Sequence, residues 1–247
     1  MSALAELLRL PRASWVGDRV PKTMLTGVLD MRPSDRRVLD GGVRRIEWVA
    51  SLNHRTMGLQ PDEFHGRPVH EIAVLELETA PGVRSADARR LATLLHRAVP
   101  NLALVGHAPQ GRLAEIGLAL TREHLRSTVV DEEWWAPVGV GESLDWWRGD
   151  PVAFPTVTSF YENWLQRAAV FSVCHAVDRV PVALPSGSTA ETLRWSRSLL
   201  ADAAGLADAT RRARAARRTS ERVEANREAA QLRQEIVQKS GQVATGE

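Results

Sequence analysis

Lysine is nearly absent from this chain. Of 32 Lys and Arg residues, only Lys22 and Lys239 are lysine. Cysteine occurs once, at Cys174, which excludes an intrachain disulfide framework and a Cys-rich zinc site. No apolar run approaches the roughly 18 residues that a membrane helix needs. The opening MSALAELLRLPRASW is broken by Glu6 and Arg9, so it lacks the basic start and continuous apolar segment of a secretory leader. The phosphate loop GxxxxGK[ST], the dinucleotide motif GxGxxG and the GxSxG elbow are all missing. No cofactor and no metal are therefore implied, and the missing motifs point away from an enzyme. These absences lead to the expectation of a cytoplasmic protein. Heavy use of Arg, Ala and Val in place of Lys suits a GC-rich bacterial genome. In that background a retained Lys22 is either chance or a place where a compact ammonium serves better than a planar guanidinium.

What is present describes an ordinary globular chain. The 247 residues are 44% hydrophobic and 25% charged, enough for one large domain or one domain with an appendage. The net charge of +2 is too small to imply nucleic acid by itself. Residues 2–9 pattern as a short helix with Leu4, Leu7 and Leu8 on one face. Val38, Leu39, Val43, Ile46 and Ala50 have helical spacing, weakened at Gly41-Gly42. Residues 53–68 read as loop. VHEIAVLELE (69–78) is a central strand, apolar at adjacent positions and so covered on both faces. Residues 85–100 follow as a helix, 102–107 and 112–120 as strands, and STVV (127–130) as a fourth strand. Residues 131–155 are rich in Gly and Pro and read as irregular, and 158–177 as a helix with a Ser159/Glu162 capping box. The expected fold is α/β (α+β): a small mixed sheet of about four strands in the order β-α-β-β-β, flanked by helices. Residues 1–185 form this domain. Residues 186–247 form an Arg/Ala-rich helical extension with coiled-coil character, capped by Ser188/Glu191 and weakest at Gly205.

Three residue sets could carry function. Glu71, Glu76 and Glu78 on the central strand, with Lys22 as the cation, are the acidic candidates for a Mg²⁺-dependent nuclease. That chemistry requires the side chains to converge within about 6–8 Å, and the alternation of a strand puts Glu71 on the face opposite Glu76 and Glu78. Arg211, Arg212, Arg214, Arg217, Arg218 and Arg222 could neutralise phosphates in sequence-independent DNA binding, or pair with nearby Glu residues along a solvated helix. Trp134, Trp135, Trp146 and Trp147, together with Leu232 and Ile236 of the seam Ala225-Ala229-Leu232-Ile236, are candidates for core packing or for a protein interface.

Several short motifs, in order, resemble one bacterial family. They are Val20-Pro21-Lys22, Ile46-Glu47-Trp48 with Leu52, the strand Glu71–Glu78, Val99-Pro100, Trp134, Ser143-Leu144-Asp145 and Phe160-Tyr161-Glu162. The chain is similar over roughly residues 7–180 to the family catalogued as domain of unknown function (DUF) 4391. The resemblance implies a place among helicase and DNA methyltransferase genes in defence-type clusters, and a specific role for Lys22. Where the family's strand ends in an acid followed by Lys, Glu78 and Thr79 stand here, which weakens a shared nuclease-like site. The leading expectation is a non-catalytic accessory or adaptor subunit of a bacterial DNA-processing or anti-phage complex. Its partner would be a helicase or methyltransferase subunit, or a second copy joined through the C-terminal helix. The alternatives are the nuclease and the Arg-tail DNA binder.

Overall fold

The structure is a computed structural model, and it describes residues 2–28, 31–124, 127–138, 144–178 and 183–244. Ser143 and the segment Gly139-Val140-Gly141 lie outside the described residues. Ser2 caps α1 (Ala3–Leu7), its Oγ accepting the Leu4 N–H. Leu4, Leu7 and Leu8 are buried as their spacing predicts. β1 (Trp15–Arg19) follows, then α2 (Lys22–Val28) and α3 (Pro33–Gly42).

The helical stripe expected over Val38–Ala50 does not form. α3 stops at Gly41-Gly42, and residues 43–53 are strand β2 (Val43–Asn53). The register of β2 shifts between Val43 and Arg45 and again between Trp48 and Ala50. Each bulge inserts a residue into the strand's period of two. The buried positions Val43 and Ile46 thus fall three apart, which imitates helical spacing. Asn53 then caps the short α4 (His54–Met57). The expected loop over 53–68 instead contains a hairpin, β3 (Asp62–Phe64) and β4 (Arg67–Val69). It turns at His65 and Gly66, with φ of 49° and 79°, the paired positive values of a tight hairpin turn.

β5 (Glu71–Thr79), α5 (Ser85–Ala98) and β6 (Leu102–Pro109) form a parallel β-α-β unit. β7 (Glu115–His124) and β8 (Ser127–Pro137) return antiparallel. The main sheet has six strands in the order β1-β2-β5-β6-β7-β8, so the fold is mixed as expected but two strands wider, because β1 and β2 escaped the periodicity. β8 also runs on through Trp134-Trp135, where composition suggested irregular chain. One face of β5 sends Leu75 and Leu77 into a core with Ile46, Val105 and Leu91 and Leu95 of α5. α6 (Val157–Ala176) starts at a reciprocal cap between Thr156 and Ser159, rather than at Ser159/Glu162. Its buried Tyr161 accepts the Ala119 N–H at 2.9 Å, and its hydroxyl lies 3.0 Å from the Ala103 carbonyl oxygen. The hydroxyl therefore ties β6 to β7 just beyond their last paired residues, Leu104 and Leu118.

Packing divides the chain inside α6, into Met1–Ala168 and Ala169–Glu247. In the second unit, α7 (Thr189–Ala215) begins at the expected Ser188/Glu191 capping box, and α8 (Thr219–Ala244) packs back along it. The pairs Arg212–Glu228, Gly205–Leu232 and Asp202–Lys239 show the antiparallel direction. The break expected at Gly205 lies instead at residues 216–218. Arg211, Arg214, Arg217 and Arg218 place like charges three and four residues apart there, which weakens a helix. Gly205 stays helical and admits Leu232: a Cβ at 205 would sit 3.3 Å from its Cδ1. Among the described residues, no helix is long and apolar enough to cross a membrane.

Candidate functional site

β5 divides its polar side chains between two faces. Residues 76 and 78 point one way, and 77 and 79 the other, because a strand alternates. Glu76 and Glu78 reach a cleft of about 500 Å³. Its floor also carries Glu47 and Arg45 of β2, which pair across the strands with Glu76 and Glu78 respectively. Ser2 and α1 form one wall, and Trp15, Val16 and Gly17 of β1 another. Each carboxylate has a neighbour from the chain itself. Ser2 Oγ donates to Glu76 at 2.8 Å, Arg45 contacts Glu47, and Arg44 stands 3.8 Å from Glu78.

The opposite face of the same strand end is closed. Thr79 and His107 are 0% and 2% exposed, and Thr79 Oγ1 lies 3.0 Å from His107 Nε2. His107 Nδ1 is 3.9 Å from Glu115, and Arg89 of α5 grips Glu115 with two donors, at 2.7 and 3.1 Å. Arg89 also stacks over Trp135, 5.6 Å from the ring centre. Burial alone would raise the Glu115 pKa. The contacts with His107 and Arg89 outweigh it and hold the carboxyl down at about 2. Nearby Glu133 is shifted upward by burial, against the pull of Thr93, Trp135 and Arg89. A hydroxyl, an imidazole and a carboxylate in a row are the parts of a nucleophilic triad. Here no substrate reaches the hydroxyl, and the row works as a polar brace between sheet and α5.

The four nuclease candidates do not converge. Glu71 starts β5 and is bonded to Ser51 and Asn101, five residues or about 16 Å of strand from Glu76. Lys22 lies on the α5 side, where α2 packs its Leu25 into the core with Leu91 and Leu95. Its Nζ donates to the Asp40 carbonyl at 3.1 Å. A cation on a last-turn carbonyl suits the negative end of α3 and accounts for the lysine there. Among the described residues, no group of three or more His, Cys, Asp or Glu is placed to hold a metal ion.

The interface candidates are used inside the fold. Trp134, Trp146 and Trp147 are buried. Trp135 lies across Gly117, where a Cβ would come within 2.6 Å of its ring. Trp146 Nε1 donates to the Arg167 carbonyl while the Arg167 guanidinium faces its ring. Ile236 is buried against Val173 and Leu199, and Leu232 covers Gly205, so α7 already occupies the seam of α8. Arg211 and Arg212 pair with Asp208, Arg212 also with Glu228, and Arg218 approaches Glu221. Arg214, Arg217 and Arg222 are exposed, with no ion pair recorded among the described residues.

Sequence reasoning missed Trp15, Val16 and Arg45 at the cleft, and Arg89, His107 and Glu115 in the brace. The i, i+2 spacing of Glu76 and Glu78 signals a shared face, but their neighbours come from β1 and β2, whose bulges hide the strand pattern. A family model described as domain of unknown function (DUF4391) matches residues 8–236, and so reaches well into the helical extension. No curated protein and no solved structure matches the chain.

Proposed function

The chain belongs to the DUF4391 family, and from that premise we propose that it is an accessory subunit of a bacterial DNA-processing or anti-phage assembly, docking a larger helicase or methyltransferase component. The observation that supports this reading is the free edge of the main sheet. Trp15 and Val16 of β1 remain 37% and 39% exposed there, while the tryptophan pairs and the α8 seam are used in internal packing. An apolar pair on an outer strand favours association with another chain. The nearby carboxylates are engaged by the chain's own Ser2, Arg45 and Arg44, which suits a surface better than a reaction centre. Tagging the chain in its native operon tests the reading. A helicase or methyltransferase component co-purifying in fixed stoichiometry is expected; a lone monomer under mild lysis would count decisively against it.

A second reading draws on the α7–α8 junction. Arg214, Arg217 and Arg222 stand exposed there, and such side chains suit DNA phosphates. Replacing all three with Ala should then reduce the slope of log affinity against log salt by about 3, near one unit per lost phosphate contact. An unchanged slope removes this reading.

A further inference from the structure

The β1 edge and the cleft beside it carry an inference that rests on the accessory-subunit reading. Among the described residues, β1 pairs with β2 on one side and has no strand on the other. Half of the backbone N–H and C=O groups of such a strand point outward. Natural edges are guarded by charge or by a bulge. Here the bulge at Gly17 and the charges of Asp18 and Arg19 guard only the C-terminal half. Trp15 and Val16 leave the other half apolar and exposed. The same two residues wall the cleft, where Glu47, Glu76 and Glu78 outnumber the two cations beside them, Arg45 on the floor and Arg44 at 3.8 Å from Glu78.

Three different attractions thus lie side by side: an open backbone ladder, an indole face and surplus negative charge. One kind of occupant satisfies all of them. An extended peptide can hydrogen-bond along β1, and its alternate side chains then point toward the cleft. An arginine among those side chains can stack on Trp15 and reach over β1 toward Glu47 of β2, with Glu76 and Glu78 of β5 adding to the negative field beyond it. Lysine offers the charge without the fork. We propose that the β1 edge and the acidic cleft together form the docking site for an extended, arginine-bearing segment of a partner protein. The segment adds as a seventh strand and places its guanidinium over the Trp15 ring, facing the carboxylates of Glu47, Glu76 and Glu78.

Panning random decapeptides on the full chain tests the proposal. Captured sequences should share an arginine flanked by alternating apolar residues. The double variant Glu76→Gln/Glu78→Gln should weaken a captured peptide about tenfold or more, the effect of losing roughly 1.4 kcal/mol, and should flatten its salt dependence. Val16→Lys, at an exposed position, should weaken it similarly with the melting temperature unchanged. The proposal is overturned by no enrichment, by captured sequences without arginine, or by peptides that bind both variants as well as the parent chain. It is equally overturned by a dimer of the chain that Val16→Lys dissociates, since a second copy then occupies the edge. The same variants in the native operon separate the two levels of the argument. A partner retained by both variants refutes this site and leaves the accessory role standing, whereas a parent chain that purifies alone refutes the accessory role itself.

Discussion

The two faces at the end of β5 use similar residues to opposite ends. On the α5 side, Thr79 and His107 are sealed, and the row runs outward through Glu115 to Arg89, whose side chain is 43% exposed. On the other side, Glu47, Glu76, Glu78 and Arg45 face a cleft, where water screens the same kinds of charge. Removing one partner from a dry pair strands the other, while removing one from a wet cluster lets water replace it. The residue types alone would mark both faces as chemical sites. Solvent access assigns one to stability and leaves the other open to water.

The largest expected effect of a substitution comes from stranding Glu115. Arg89→Ala should lower unfolding free energy by about 2 kcal/mol in urea titration, the scale of hydrogen bonds to a charged group. Glu76→Gln/Glu78→Gln on the open face should change it by less than about 0.5 kcal/mol. Equal losses would erase the contrast between the faces.

Acid comes next. His96 is wholly buried, and burial lowers its pKa from 6.5 to about 4. Below pH 6.5 the unfolded chain binds a proton at this site that the native chain refuses, so stability falls as pH drops from 6.5 to 4. The loss is on the order of 2–3 kcal/mol. Glu115 shifts the other way from its ordinary 4.5, to about 2. Its contribution is complete above pH 4.5 and disappears as pH falls toward 2. Among the described residues His96 Nε2 has no hydrogen-bond partner, so His96→Leu should remove the upper limb of the pH–stability curve and spare the lower. An unchanged upper limb would place its origin elsewhere.

Smaller effects sharpen the picture. Tyr161→Phe should cost about 1–2 kcal/mol, since the Ala119 N–H loses its buried acceptor. Lys22→Ala should cost only about 0.5 kcal/mol, the scale of a cation at a helix end, read as a small shift of the urea midpoint. A loss of several kcal/mol there would mean that Lys22 does more than hold the end of α3.

The parts of the fold legible in the sequence are those whose pattern is local. β5, α5 and β6 follow from an apolar run, a helical stripe and a second apolar run. The Ser188/Glu191 cap is set by two residues three apart. β1 and β2 were illegible because bulges at Gly17, Val43–Arg45 and Trp48–Ala50 break the period of two on which strand reading depends. The cleft was half legible: Glu76 and Glu78 announce a shared face, but Trp15 and Arg45 join them only through pairing across β1, β2 and β5. In the extension, composition marked the helices, yet that α8 folds back along α7 shows only in the pairing of Arg212 with Glu228 and of Asp202 with Lys239.

The sequence by itself determined the chain's family, the central β-α-β unit, the paired face of Glu76 and Glu78, and the helical character of the last third. Only the tertiary structure decided which polar residues are sealed and which meet water, because that depends on what packs over each face. The order of residues along a strand fixes the face a side chain takes; it does not fix whether α5 or an open cleft lies there to receive it.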